Sequence, residues 1–286
     1  MRTVLTLIPL WFTIPLACYG QNVPTARNQD GNHDVSLVQQ ALRAELAAAQ
    51  DPSHPMRYRL RRSSPRLSTT KELIETREGL VAMLVAVNDK PLNVSDAAKE
   101  KARLDGLLAD PERQRHRKQA EDDDTKRVLK VLRVMPDAFV YQHAGTVVTR
   151  SGSAERFLFS PKPGFKAPDM ETHVLTAMNG EIWIDSVQVR VVRLQARLEQ
   201  DVDFGWGVLG RLYKGGWITL DQANVGGGVW RLAKFQMFMT ARVLIRTREV
   251  ETTEEETQYA PVPATLDYRQ AIEMLRSGQE AAVSSQ

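Results

Sequence analysis

The chain has 286 residues, 42% hydrophobic and 26% charged, which is enough apolar material for one large domain or two smaller ones and excludes a disordered polymer. Its formal net charge is +3 with acidic and basic residues interleaved, so the sequence lacks the gathered basic face that nucleic-acid binding needs. Cys18 is the only cysteine, which excludes a disulfide within the chain.

Residues 1–20, MRTVLTLIPLWFTIPLACYG, place one arginine ahead of an apolar run from Val4 to Ala17, followed by small residues. The run is shorter than the roughly 20 residues that cross a bilayer, and it reads as a secretory signal peptide. No later stretch is apolar enough to span, so the mature chain is expected to be exported, either periplasmic or anchored at the outer membrane. Two processing routes stay open. Pro15-Leu16-Ala17-Cys18 is similar to the bacterial lipobox, with Pro15 where that motif carries Leu or a similar aliphatic residue, and would make Cys18 an acylation site and the protein membrane-associated. Cleavage after Gly20 would instead remove Cys18 with the leader.

Residues 21–55 read as a polar lead followed by an amphipathic helix. Asp34 can cap it, and Val35, Val38, Leu42 and Leu46 recur at three- and four-residue steps until Asp51-Pro52. A sheet domain is expected over 56–266. In MRYRLRRSS, Met56, Tyr58 and Leu60 alternate with Arg57, Arg59 and Arg61, which predicts a half-buried strand with one basic edge. Two more strands flank Gly79 and close at Asn88-Asp89-Lys90-Pro91. A helical insertion follows over 94–135, with Ser95 as one cap and Asp110-Pro111 as the start of a second helix. Its stretch ERQRHRKQAEDDDTKR has almost no apolar side chain, and Asp122 with Lys126 and Asp123 with Arg127 are oppositely charged pairs four apart, so it reads as a solvated charged arm. Val128, Val131, Leu132 and Met135 then rebuild an apolar face that could anchor it.

From Ala138 to Tyr259 strands dominate, with turn signals at Gly145, Ser151-Gly152, Pro161 to Pro168, Asn179-Gly180 and Gly226 to Gly228. Val192, Leu194, Ala196 and Leu198 alternate with polar residues, so one face there is wet. Val187, Val189 and Val191 alternate in the opposite phase, which requires a turn at about 186–189. Residues 267–286 hold a short helix from Asp267 that stops at Gly278, and a tail.

The chemistry-bearing motifs are incomplete. Gly210 to Gly215 has the glycine spacing of a phosphate loop, but Gly216 and Trp217 stand where Lys and Ser or Thr are required. The five histidines, at 33, 54, 116, 143 and 173, are scattered without zinc-ligand spacing, and no Gly-x-Ser-x-Gly elbow occurs. No catalytic residue, metal or cofactor is therefore expected. What remains is aromatic: Trp183, Phe204, Trp206, Trp217, Trp230, Phe235 and Phe238. They either fill an ordinary core or line an apolar hollow on a strongly curved sheet, and such a hollow suits an acyl chain or an apolar peptide segment.

The phrases FLFSPKPGF, LTAMNGEIWIDSVQVRVVRLQARL and GGWITLDQANVGGGVWRLAKFQMFMTARVLI carry a resemblance. Over residues 56 to 260 the order of elements is similar to the outer-membrane lipoprotein-sorting and lipoprotein-carrier superfamily, in which a strand ending in Ile-Asp, here Ile184-Asp185, is followed by a returning strand. The resemblance implies an α+β fold: a half-open barrel of strongly curved antiparallel sheet whose concave face binds lipid or lipoprotein acyl chains beneath an N-terminal helix. The expected protein is a non-catalytic binding protein with Arg57, Arg59 and Arg61 at the rim for anionic head groups. The alternatives are an interaction or sensor module that docks on an envelope protein through the helical arm, and an unrecognised hydrolase.

Overall fold

The computed structural model describes residues 30–204 and 210–284; the leader, Cys18 and Trp206 lie outside them. The described helices are α1 (Asp30–Gln50), α2 (Val94–Ala109), α3 (Pro111–Ala138), α4 (Met170–His173) and α5 (Tyr268–Ser284). The strands are β1 (Met56–Ser64), β2 (Leu67–Thr76), β3 (Gly79–Val87), β4 (Lys90–Pro91), β5 (Phe139–Thr149), β6 (Gly152–Pro161), β7 (Met178–Asp185), β8 (Val191–Leu198), β9 (Val202–Phe204), β10 (Gly210–Leu212), β11 (Trp217–Asn224), β12 (Trp230–Val243) and β13 (Arg246–Pro261). The fold class is α+β with a large antiparallel sheet that is not closed, β4 and β5 being its outer strands.

The chain divides into two compact units. The first runs through Ala49 and takes in Asp124–Trp217 and Ala241–Thr247; the second comprises Gln50–Asp123, Ile218–Thr240 and the chain from Arg248 onward. In the second unit the strand order is β4-β3-β2-β1-β13-β12-β11. Alternation in β1 is as expected: Met56, Tyr58 and Leu60 are buried and Arg57 is exposed. Register sets Arg57 opposite Ile74 and Tyr58 opposite Leu73, so neighbouring residues of β2 serve opposite faces. One face, through Ile74, Val81 and Met83, packs under Leu104 and Leu107 of α2 and Ile272 and Leu275 of α5. Each such side chain contributes roughly 1.5–3 kcal/mol when fully buried. The other face carries Tyr58, Leu60 and Leu73 with Leu80, Ala82 and Tyr259.

The charged insertion keeps an exposed outer face but packs along its other side against β3, which the expectation of a solvated arm did not include. Gln114 of α3 is 1% exposed and its Nε2 donates to the Glu78 carbonyl at 2.8 Å. Gly79, at φ +105°, lies so close beneath α3 that an added Cβ would stand 3.1 Å from Lys118 Cβ and 3.2 Å from Gln114 Nε2. Polar side chains also cap the outer edge of β3. Glu121 accepts from Leu80 N at 2.9 Å, Glu100 accepts from Leu84 N at 2.7 Å, and Arg103 donates to the Ala82 carbonyl at 2.5 Å. The absence of apolar residues in the sequence hid this packing, because the contacts are hydrogen bonds to backbone. The cap of α2 is Asn93, whose side chain accepts from Asp96 N at 2.9 Å, in place of the expected Ser95. Asp110 does accept from Glu112 N at 3.1 Å ahead of Pro111.

The first unit holds the order β8-β7-β6-β5, with β10 pairing both β9 and the end of β12. Val38, Ala41, Leu42, Glu45 and Ala49 form the buried stripe of α1. Two expected turns are not turns. Gly145 lies in a bulge between His143 and Thr146 of a continuous β5, and Asn179-Gly180 lies inside β7. Gly180 is required there by close approach, since an added Cβ would fall 1.9 Å from the Gln195 carbonyl oxygen of β8. The phase change before β8 is resolved as expected by a turn: Asp185 N bonds the Arg190 carbonyl at 2.8 Å, and the Asp185 carboxylate accepts from Val187 N and Gln188 N at 3.0 and 2.6 Å. A turn the sequence did not signal, Leu244-Ile245, separates β12 from β13, and α5 continues through Gly278 to Ser284.

Candidate functional site

The aromatic candidates are divided between the two units. Trp230 (3% exposed) and Phe235 (7%) are buried on β12, while Phe238, three residues on, is half-buried and by strand alternation falls on the face opposite Phe235. Phe204 is 5% exposed on β9. Trp217 is half-buried at the start of β11. Trp183 points away from its buried neighbours Ile182 and Ile184 toward a charged face: its Nε1 donates to Glu181 at 3.1 Å, and the Arg193 guanidinium lies 4.9 Å from its ring centre. Trp183 is therefore removed from any apolar lining. Of the rim arginines, Arg59 pairs with Glu72 at 2.6 Å and Arg61 with Asp89 at 2.7 Å, which leaves their charge largely neutralised; Arg57 is exposed.

The face of the second unit that carries Tyr58, Leu60 and Leu73 also carries charged residues. Register sets Leu60 opposite Glu256 and Lys71, and Arg62 opposite Glu254. Thr252, Glu254 and Glu256 are all buried on β13 at alternate positions, and Arg62 pairs with Glu254 at 2.6 Å. Burial pushes the Glu256 carboxyl up to about 7, even though the Tyr259 hydroxyl donates to it. Burial likewise raises Glu254 and the Tyr259 hydroxyl. Tyr259 stacks on Tyr58 at 5.0 Å, and its hydroxyl oxygen also lies 2.9 Å from the Leu232 carbonyl, so its single proton is shared between that carbonyl and Glu256. Burial lowers Lys71, helped by Arg62, Arg103 and Arg117, and it lowers Arg117 for the same reason. A hydrocarbon chain against these buried polar groups would offer them no hydrogen bonds.

The first unit offers a different surface. A groove of about 270 Å³ is lined by Gln39, Leu42, Arg43 and Leu46 of α1 and by Leu132, Arg133, Pro136 and Asp137 of α3. Four of its lining residues are apolar, Leu42, Leu46, Leu132 and Pro136, and four are polar, of which Arg43, Arg133 and Asp137 are exposed. None of the aromatic candidates among the described residues lines it. The two leucines of α1 were legible as an amphipathic stripe and Leu132 as the anchor of the insertion, but nothing in the sequence brought them together. What holds α1 in place is a buried ion pair that its apolar spacing does not mark. Glu45, 1% exposed, accepts from Arg190 Nε at 2.8 Å, Arg190 Nη2 at 3.0 Å and Val191 N at 3.1 Å. The signal was a glutamate on the apolar stripe between Leu42 and Leu46.

Among the described residues, no group of three or more His, Cys, Asp or Glu could hold a metal ion, and no helix is long and apolar enough to cross a membrane. No protein-family model matches the chain, and no curated protein matches it significantly. The structure is similar to a crystal structure described as an outer membrane lipoprotein-sorting protein domain from Vibrio parahaemolyticus. The two share 8% sequence identity, and the similarity covers 86% of this chain and 99% of that chain with a TM-score of 0.32. A likeness at that level carries no argument about ligand or activity.

Proposed function

We propose that the protein is an exported, non-catalytic binding protein that takes up a single acyl chain in the groove between α1 and the second half of α3. The observation that carries this reading is the groove's composition, apolar Leu42, Leu46, Leu132 and Pro136 beside two arginines, Arg43 and Arg133, against one carboxylate, Asp137. A tail against these apolar side chains leaves water at roughly 0.8 kcal/mol per buried methylene, and a carboxylate or phosphate head reaches the arginines. A volume of about 270 Å³ lies just below the range of roughly 300–1,000 Å³ for ligand sites, which suits part of one chain rather than a folded or ring-bearing ligand. The leader expected over residues 1–20 supports export. Docking through the insertion is the weaker alternative, because α2 and the first half of α3 are committed to the second unit through Leu104, Leu107, Gln114 and Glu121.

The test is displacement of a fluorescent fatty-acid probe, with native mass spectrometry of the purified chain to detect retained lipid. Wild type is expected to bind the probe, and Leu46→Trp, which fills the groove, to weaken binding at least about tenfold. Equal binding by both, or no probe bound and no lipid retained by wild type, overturns the proposal.

A further inference from the structure

The turn between β12 and β13 is built from residues that neither water nor the backbone favours there. Val243, Leu244 and Ile245 are 48%, 58% and 93% exposed. Leu244 sits at φ +54°, in the left-handed region that two-residue hairpin turns ordinarily fill with Asn, Asp or Gly. A turn selected for folding alone would carry those residues. Two large apolar side chains, one of them on strained backbone, are instead held out at the end of a ribbon whose strands run 14 and 16 residues. Arg246 and Arg248 follow the turn, both exposed and without a hydrogen bond or ion pair among the described residues. Their spacing sets them on one face of β13, with Glu249 on the other.

We propose that this tip docks the protein on an anionic lipid surface, with Leu244 and Ile245 entering the boundary between head groups and acyl chains and Arg246 and Arg248 meeting head-group phosphates. A bilayer is the occupant that fits. A stable protein interface takes about 20–30 residues a side, whereas this surface is a tip of three apolar side chains with cations beside it. That is the composition of an interfacial anchor, in which shallow apolar burial and attraction to anionic lipid act together. The docking is independent of any acyl group on Cys18 and of the groove on α1.

The experiment is co-sedimentation of the purified chain, carrying Cys18→Ser to remove the lipidation route, with phosphatidylcholine vesicles and with vesicles containing 30% phosphatidylglycerol. Binding is expected to the anionic vesicles, weaker at high salt. Each of Arg246→Gln and Arg248→Gln is expected to lower the partition coefficient roughly fivefold. Leu244→Asn with Ile245→Asn should abolish binding, and because Asn accepts a positive φ the variant should melt no lower than wild type. Unchanged vesicle binding by the double variant overturns the proposal, as does failure of the parent to bind anionic vesicles. A concentration-dependent dimer that the double variant abolishes would assign the tip to a second copy and overturns it equally.

Discussion

Glu256 is 6% exposed, takes one hydrogen bond from the Tyr259 hydroxyl and has no partner for its other oxygen among the described residues. With a folded-state pKa of about 7 against 4.5 for the ordinary carboxyl, the native state binds more protons than the unfolded chain between those values. Stability should therefore fall as pH rises through that window and be highest on its acid side. Urea unfolding at pH 5 and pH 8 should show the slope, amounting to no more than about 3 kcal/mol from this group. Glu256→Gln, which cannot ionise, should flatten it and be the more stable protein at pH 8; an unchanged slope would place the titration elsewhere. The residue was invisible in the sequence for a physical reason. In EVETTEEETQY both faces of the strand are polar, so a period of two carries no hydrophobic signal, and only register reveals which glutamates face inward. Lys71 escaped notice in the same way, as one polar residue in a strand of mixed pattern.

Element boundaries followed the sequence where an apolar period or a cap marked them. The α1 stripe, the alternation of β1 and the phase change before β8 were all legible, because each depends on spacing. The Leu244-Ile245 turn was not, since Ile favours strands and neither residue is a turn former. Gly180 erred the other way, as a turn signal whose glycine answers to the neighbouring backbone. The α1 helix shows how an ion pair can fix what burial alone leaves free to slide. Glu45 and Arg190 are 1% and 13% exposed at their side chains, and removing Glu45 takes the carboxylate from a largely buried Arg190 guanidinium. Glu45→Ala should cost about 3–5 kcal/mol, whereas Glu45→Met combined with Arg190→Leu should recover much of that loss. Chemical denaturation of the three variants checks this. A double variant no better than the single one would mean that the Val191 N–H, not Arg190, is what Glu45 chiefly serves.

Fold class was readable at the scale of the whole molecule, since strands with short links and helices gathered at a few places already give α+β. Where the apolar surface lies was not readable. The tryptophans advertised a hollow, yet they are shared between two units, and in the second the face that carries Tyr58 and Leu60 also holds Arg62, Lys71, Glu254 and Glu256. Side-chain contacts that cross from one element to another have no local sequence signature. The outer edge of β3 has a consequence for how the molecule behaves in a crowd. β4 pairs only with Ala86 and Val87, so most of β3 would otherwise present a bare ladder of amides and carbonyls to any passing extended chain. Glu121, Arg103 and Glu100 occupy that ladder at Leu80, Ala82 and Leu84. Glu100→Ala with Arg103→Ala should leave the monomer folded but prone to polymerise, seen as thioflavin-positive fibrils at concentrations where wild type stays clear. Three charged side chains on helices thus act as a guard against self-templating, and a compartment packed with other sheet proteins is where such a guard matters most.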